Sequence, residues 1–284
     1  MKNERTILDL GSDLSIRYRW FVRASLAHPA KLHLGVLQWI LDRYTRPGDT
    51  VADPMAGVGS ILYAAAQQRN VIAREIEPRW LAFAHQNAAE IINSAGLFAG
   101  TIDLGQADAR EPWGFAADHI IFSPPYGCES KRDPERRGRV LTERLLRLGR
   151  TRVHYSKRWE LLACHGDTQA GAGALFNFAY GSHSAQIGHL RDAAYWEAME
   201  AIYRNARAAL RGGVMALVIK DHIKKGVRVR VADRTVELCH TLGFTLIERT
   251  ARRVYPLSLW QRRRKEQGKL IVENEDILVF QEQR

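Results

Sequence analysis

Short apolar runs alternate along this chain with amphipathic stretches at helical spacing, and glycine, proline or a polar residue closes most of them. Leu32, Leu34, Leu37, Ile40 and Leu41 recur near helical spacing and predict a helix that Pro47-Gly48 ends. Thr50-Val51-Ala52-Asp53 reads as a strand and Ile61 to Gln68 as an alanine-rich helix. Asn70 to Ile76 makes a second strand, and a long helix runs from Pro78 to about Ser94, with proline suited to its first turn. A third strand lies within Thr101–Ala109, and Asp118 to Phe122 is a fourth, buried one. The alternation stops between Gly127 and about Leu190. It resumes with a helix from Asp192 to Leu210, a strand from Val214 to Ile219 and a helix from Val231 to Leu242. A strand begins at Gly243-Phe244, and Asp276 to Phe280 supplies the last. Residues before about Ser25 carry no strong periodic signal.

Two of the joints carry candidate chemistry. The fourth strand runs into Ser123-Pro124-Pro125-Tyr126. Prolines lack an N–H and push their predecessors out of the helical region, so the chain must turn there stiffly. Such a turn presents a hydroxyl, backbone carbonyls and a flat ring, which suit a planar, amine-bearing guest; the same residues also make an ordinary strand-ending turn. The other joint is Asp53-Pro54-Met55-Ala56-Gly57-Val58-Gly59-Ser60, a glycine-rich loop between strand and helix, where the backbone can approach a ligand closely. Glu75 closes the second strand 16 positions after Gly59, where a carboxylate can accept both hydroxyls of a ribose. Asp108, leaving the third strand, either accepts from an adenine amino group or caps the next segment.

Together and in this order, these pieces resemble S-adenosylmethionine-dependent amino-methyltransferases of nucleic acids, the DNA N4-cytosine and N6-adenine methylases. His28-Pro29-Ala30-Lys31 resembles that family's N-terminal cofactor motif, and the loop Asp53, Pro54, Met55, Ala56, Gly57, Gly59 and Ser60 its glycine loop. Glu75 with Ile76 resembles its ribose site, Asp108 with Ala109 its adenine site, and Ser123, Pro124, Pro125 and Tyr126 its catalytic tetrad roughly 60 residues downstream. Met55 and Arg74 depart from the usual pattern, Arg74 standing where glycine is common. The resemblance implies an α/β, Rossmann-like class I methyltransferase fold. Its sheet would have seven mostly parallel strands, a reversed last strand and helices on both faces, with an insert after the fourth strand. It further implies one catalytic domain over residues 1–284, S-adenosylmethionine as cofactor and transfer of its methyl to a base amine. A serine-led tetrad favours N4 of cytosine over N6 of adenine. No cysteine nucleophile is required, because Tyr126 rather than cysteine follows Pro125, and Cys128 is read as inert.

Charge adds a partner. The 42 basic residues exceed the 31 acidic ones, for a net +11, which points to a polyanion. The 127–190 insert is dense in Lys131, Arg132, Arg136, Arg137 and Arg139 and leaves directly from the tetrad, so it is read as the target-recognition element for double-stranded DNA. Arg262 and Arg263 form a second basic segment read as a phosphate grip. Arg17 to Arg23 interleaves cations with Tyr18, Trp20 and Phe21, for stacking on nucleic acid or for packing on the core. Phe178 and Tyr180 are more in keeping with core packing than with a base pocket, and His183 with a structural role. At 284 residues and 46% hydrophobic the chain suits one large domain. No run is apolar enough to span a bilayer, and the start is too polar for a signal peptide. Three scattered cysteines indicate neither a zinc site nor a disulfide framework, which fits the cytoplasm. The rival readings are an RNA guanine-N2 or protein-glutamine amino-methyltransferase, and a non-catalytic nucleic-acid-binding protein on a relic of the fold.

Overall fold

The computed structural model describes residues 6–28, 31–125, 183–224, 226–254 and 259–283. Within them the apolar runs become ten strands: β1 (Ile7–Leu8), β2 (Thr50–Asp53), β3 (Asn70–Glu75), β4 (Ile102–Gln106), β5 (His119–Phe122), β6 (Met215–Ile219), β7 (His222–Lys224), β8 (Val227–Val229), β9 (Phe244–Arg253) and β10 (Asn274–Glu282). The amphipathic stretches become α1 (Leu14–Trp20), α2 (Leu34–Tyr44), α3 (Tyr63–Ala66), α4 (Pro78–Ala95), α5 (Asp192–Ala209), α6 (Val231–Thr241) and α7 (Leu259–Glu266).

Eight strands form one sheet in the order β1-β9-β10-β6-β5-β2-β3-β4, while β7 and β8 pair apart as a hairpin. β4, β3, β2, β5 and β6 are parallel, and β10 runs antiparallel to both of its neighbours. The expected parallel sheet with a reversed last strand is therefore present, but the expected count of seven is corrected to eight. The extra strand is β1, whose two residues pair in parallel with Ala251 and Arg252 of β9.

Because side chains alternate across a strand, one sheet feeds two cores. Val51, Ile121, Ala216, Val218, Ile277 and Val279 pack under α2, α3 and α4. Their immediate neighbours Ala52, Ile120, Phe122, Met215, Leu217, Leu278 and Phe280 pack under α5 and α6. Strands buried on both faces read as continuous apolar runs, as the sequence of β6 does. The parallel strands thus end together, and Asp53, Glu75, Gln106, Phe122 and Ile219 close them along one edge, where open α/β sheets hold ligands.

The basic run Arg262-Arg263-Arg264-Lys265 lies in α7. In the N-terminal segment Arg17 and Phe21 are buried, so those two side chains serve the core and not a nucleic acid. No described helix is long and apolar enough to cross a membrane.

Candidate functional site

The loop after β2 is bent by two glycines in the left-handed region, Gly57 at φ +57° and Gly59 at φ +80°. A Cβ on Gly59 would stand 2.4 Å from Leu62 Cδ1, so both backbone and space demand glycine there. The helix expected over Ile61 to Gln68 is instead a 3-10 turn, Ser60–Leu62, followed by the four residues of α3. Gln68 adopts φ +65°, a conformation that no helix continues. Three side chains outside the loop hold it. Asn87, fully buried in α4, donates to the Val58 carbonyl at 2.7 Å and accepts from Val22 N–H at 2.9 Å. Arg17, paired with Asp13 at 2.8 Å, donates to Ser60 Oγ at 3.2 Å and to the Leu32 carbonyl. The His28 ring lies within 3.2 Å of where a Gly57 Cβ would stand and packs edge-on against Trp80.

Three acids face the loop in different states. Asp53 is buried and accepts from Met55 N–H at 2.8 Å. Burial pushes its carboxyl up to about 8, the Met55 bond opposing and the nearby Glu75 charge adding. Glu75 is tied at both oxygens, to Gly57 N–H at 2.6 Å and Glu77 N–H at 2.8 Å. Burial raises it too, against those backbone bonds. The end of β3 thereby clamps the glycine loop, a job that the sequence reading did not give it. Asp108 forms a fork with Arg110, Nε to Oδ1 at 3.0 Å and Nη2 to Oδ2 at 2.5 Å. Burial there works against ionisation, and Arg110 overrides it to hold the carboxyl below its ordinary value. Its backbone acceptor role is local, toward Arg110 N–H at 3.0 Å. Lys31 donates to the carbonyls of Leu26 and His28, which closes the segment that carries His28.

The two-proline turn is pinned from both cores. Ser123 Oγ donates to the Val218 carbonyl of β6 at 2.8 Å, and the Tyr195 hydroxyl of α5 donates to the Pro125 carbonyl at 3.0 Å. Among the described residues nothing donates to the carbonyl of Pro124. Tyr126 lies outside the described residues, as do Pro29, Ala30, Lys131, Arg132, Arg136, Arg137 and Arg139, and also Cys128, Phe178 and Tyr180.

One cavity joins these parts. Of the expected cofactor residues, His28, Lys31, Asp53, Pro54, Met55, Ala56, Gly57, Ser60, Glu75, Ile76, Asp108 and Ala109 line it. Ser123 and Pro125 line it as well. Gly59 and Pro124 do not line it, nor do Arg262 and Arg263, which are exposed. Trp80, Gln186 and Ile187 are among the further residues that line it. Glu77 holds that last segment, accepting from His183 N–H at 2.8 Å and Gln186 Nε2 at 3.5 Å. His183 has a local structural role, its Nδ1 accepting from Ala185 N–H. Arg74 does not fill the cavity. It pairs with Asp103 at 2.8 Å and lies 5.3 Å from the Phe115 ring centre, beside a second cavity that Asp108 also lines.

Asn87 could have been found in the sequence, as the one strongly polar member of the stripe Trp80, Phe83, Ala84, Asn87, Ala88 and Ile91. Tyr195 could not, because a tyrosine on the apolar face of α5 looks like core. Among the described residues no group of His, Cys, Asp and Glu could hold a metal ion, and Cys239 is buried with its thiol pushed up by burial.

No protein-family model matches the chain, and neither does any curated protein. Solved structures do resemble it. TrmN from Thermus thermophilus is 20% identical at a TM-score of 0.47, covering 92% of this chain, which spans only about half, 52%, of that protein. A SAM-dependent methyltransferase from Methanosarcina mazei is 11% identical at a TM-score of 0.49, with 89% of this chain and 99% of the other covered. A protein titled as an rRNA methylase from Clostridium thermocellum is 13% identical at a TM-score of 0.46, with 89% and 98% covered.

Proposed function

We propose that this chain is an S-adenosylmethionine-dependent methyltransferase that modifies the exocyclic amine of a base in double-stranded DNA, N4 of cytosine ahead of N6 of adenine. The observation that carries the reading is the shared cavity: Ser123 and Pro125 line the same space as Asp53, Gly57 and Glu75. Two buried carboxyl groups that pair with no cation among the described residues, beside a backbone opened by glycines, fit a cationic nucleoside such as S-adenosylmethionine.

When bound, that cofactor supplies an electrophilic methyl group. The protein's part is to make a poor nucleophile competent, since the lone pair of a base amine is delocalised into the ring. Ser123 gives its own proton to Val218, so its oxygen has only lone pairs left to offer. The Pro124 carbonyl is the second acceptor, because Tyr195 already engages that of Pro125. Two fixed acceptors for the two amine hydrogens localise and aim the lone pair, and rate comes from positioning and pre-organised electrostatics. Tyr126 stacks on the base, which must first leave the duplex. The 127–190 insert reads the target, and α7 adds phosphate contacts.

The test is transfer of labelled methyl to unmethylated genomic DNA, followed by nucleoside mass analysis. Labelled N4-methylcytosine or N6-methyladenine is expected. Label that enters RNA or protein but not DNA refutes the DNA reading, and failure to bind S-adenosylmethionine by calorimetry refutes the cofactor. Exchanging Ser123 and Tyr126 for alanine abolishes transfer while cofactor binding persists; full activity in that variant refutes the tetrad.

A further inference from the structure

Lys220 follows β6 directly and is half-buried at the ligand-bearing edge of the sheet. β5 and β6 pair Ile120 with Met215, Ile121 with Ala216 and Phe122 with Leu217. The Ser123–Val218 bond carries the two chains forward together. Continued one for one, that register sets Lys220 level with Pro125, at the tip of the two-proline turn. Alternation along β6 puts Lys220 on the face of Ala216 and Val218.

The described acids near it are taken. Asp221 is buried and accepts from Arg228 Nε at 2.8 Å and Ala232 N–H at 3.1 Å. Glu275 is paired with Arg252 at 2.7 Å. No described carboxylate forms an ion pair with Lys220. Burial accordingly lowers its pKa, with Glu275 and Arg252 pulling in opposite directions. A strand end that needed only filler would carry leucine or methionine. An ammonium partly withdrawn from water is stabilised by an anion, and among the described residues none pairs with it.

We propose that Lys220 binds a DNA phosphate beside the extruded target nucleotide. This rests on the function proposed above. The cofactor's carboxylate is the other available anion, but Lys220 is absent from the lining of the cavity that the cofactor would fill.

The experiment compares the full-length chain with K220M and K220R, using fluorescence anisotropy with labelled mixed-sequence duplex DNA over a salt series and calorimetry with S-adenosylmethionine. K220M should weaken DNA binding by about tenfold and lower the salt slope by about one, whereas K220R keeps the slope. Cofactor affinity should be unchanged in both. K220M should melt no lower than the wild type, since it removes a desolvated charge. An unchanged slope and affinity in K220M overturns the proposal. So does lost cofactor affinity, which would give Lys220 to the cofactor, and so does an effect seen with transfer RNA but not DNA. A wild-type chain that binds cofactor and no DNA fails the parent reading first, and is told apart by that result.

Discussion

Asp53 is the residue whose protonation the site depends on most. Its carboxyl lies at about 8 in the fold against 3.8 when exposed, so the folded chain holds a proton there that the unfolded chain releases. The folded state therefore binds more protons between those two values, and stability falls as pH rises through that window. D53N removes this slope, which urea melts at a series of pH values would read. The same shift governs binding. A sulfonium entering the cavity favours the carboxylate, so at neutral pH cofactor binding expels up to one proton, and affinity climbs as pH rises toward 8. Titration calorimetry in buffers of contrasting ionisation enthalpy counts that proton. S-adenosylhomocysteine, which lacks the sulfonium charge, should release less, and equal release by the two ligands contradicts the assignment. At the other end of the cavity, Y195F leaves the Pro125 carbonyl buried without its donor, at about 1–3 kcal/mol. The turn loosens, so kcat should drop about tenfold while cofactor affinity holds; equal losses in both would make Tyr195 merely structural.

The glycine loop is where an element and its sequence agree most tightly. G59A meets both a left-handed backbone and Leu62 Cδ1 at 2.4 Å, and should lose at least about 1–2 kcal/mol together with cofactor binding. G48A, at φ +92° with open space around it, carries the backbone strain alone and should bind cofactor normally. Matching losses of binding in the two variants would mean that the loop's shape is unimportant. Most of the elements were legible for a physical reason: β2, β5, β6 and β10 are buried on both faces, and α4 and α5 carry stripes long enough to show their period. β1 was not, since two residues have no periodicity and are held only by pairing with β9. Nor was α7, whose arginine run carries no apolar stripe. At the site, motif positions revealed which residue types gather, but not their bonding. Glu75 was legible as an acid closing β3, yet its clamp on Gly57 N–H needs the loop folded against it. That no described acid pairs with Lys220 shows only when Asp221 and Glu275 are seen to be engaged by others.

Across the whole molecule exposed arginines stand at both edges of the sheet. β10 is antiparallel to β6 and pairs Asp276 with Ile219, so the start of β10, which follows α7, lies at the ligand-bearing edge of the sheet. Arg262 and Arg263 are exposed there. Arg46 precedes β2 and Arg211 precedes β6, so both sit at the opposite edge, equally exposed. A net charge of +11 attracts any polyanion at long range, and reversing any two arginines weakens that attraction alike. The two pairs differ only in where they stand. Reversing Arg262 and Arg263 to glutamate should lower DNA affinity and reduce the salt slope by about two, with kcat at saturating DNA unchanged. Reversing Arg46 and Arg211 makes the same change in net charge and should leave the slope nearly intact. Anisotropy titrations of both variants across salt decide the matter. Equal slopes would mean that the molecule draws DNA by its overall field and that α7 offers no grip of its own.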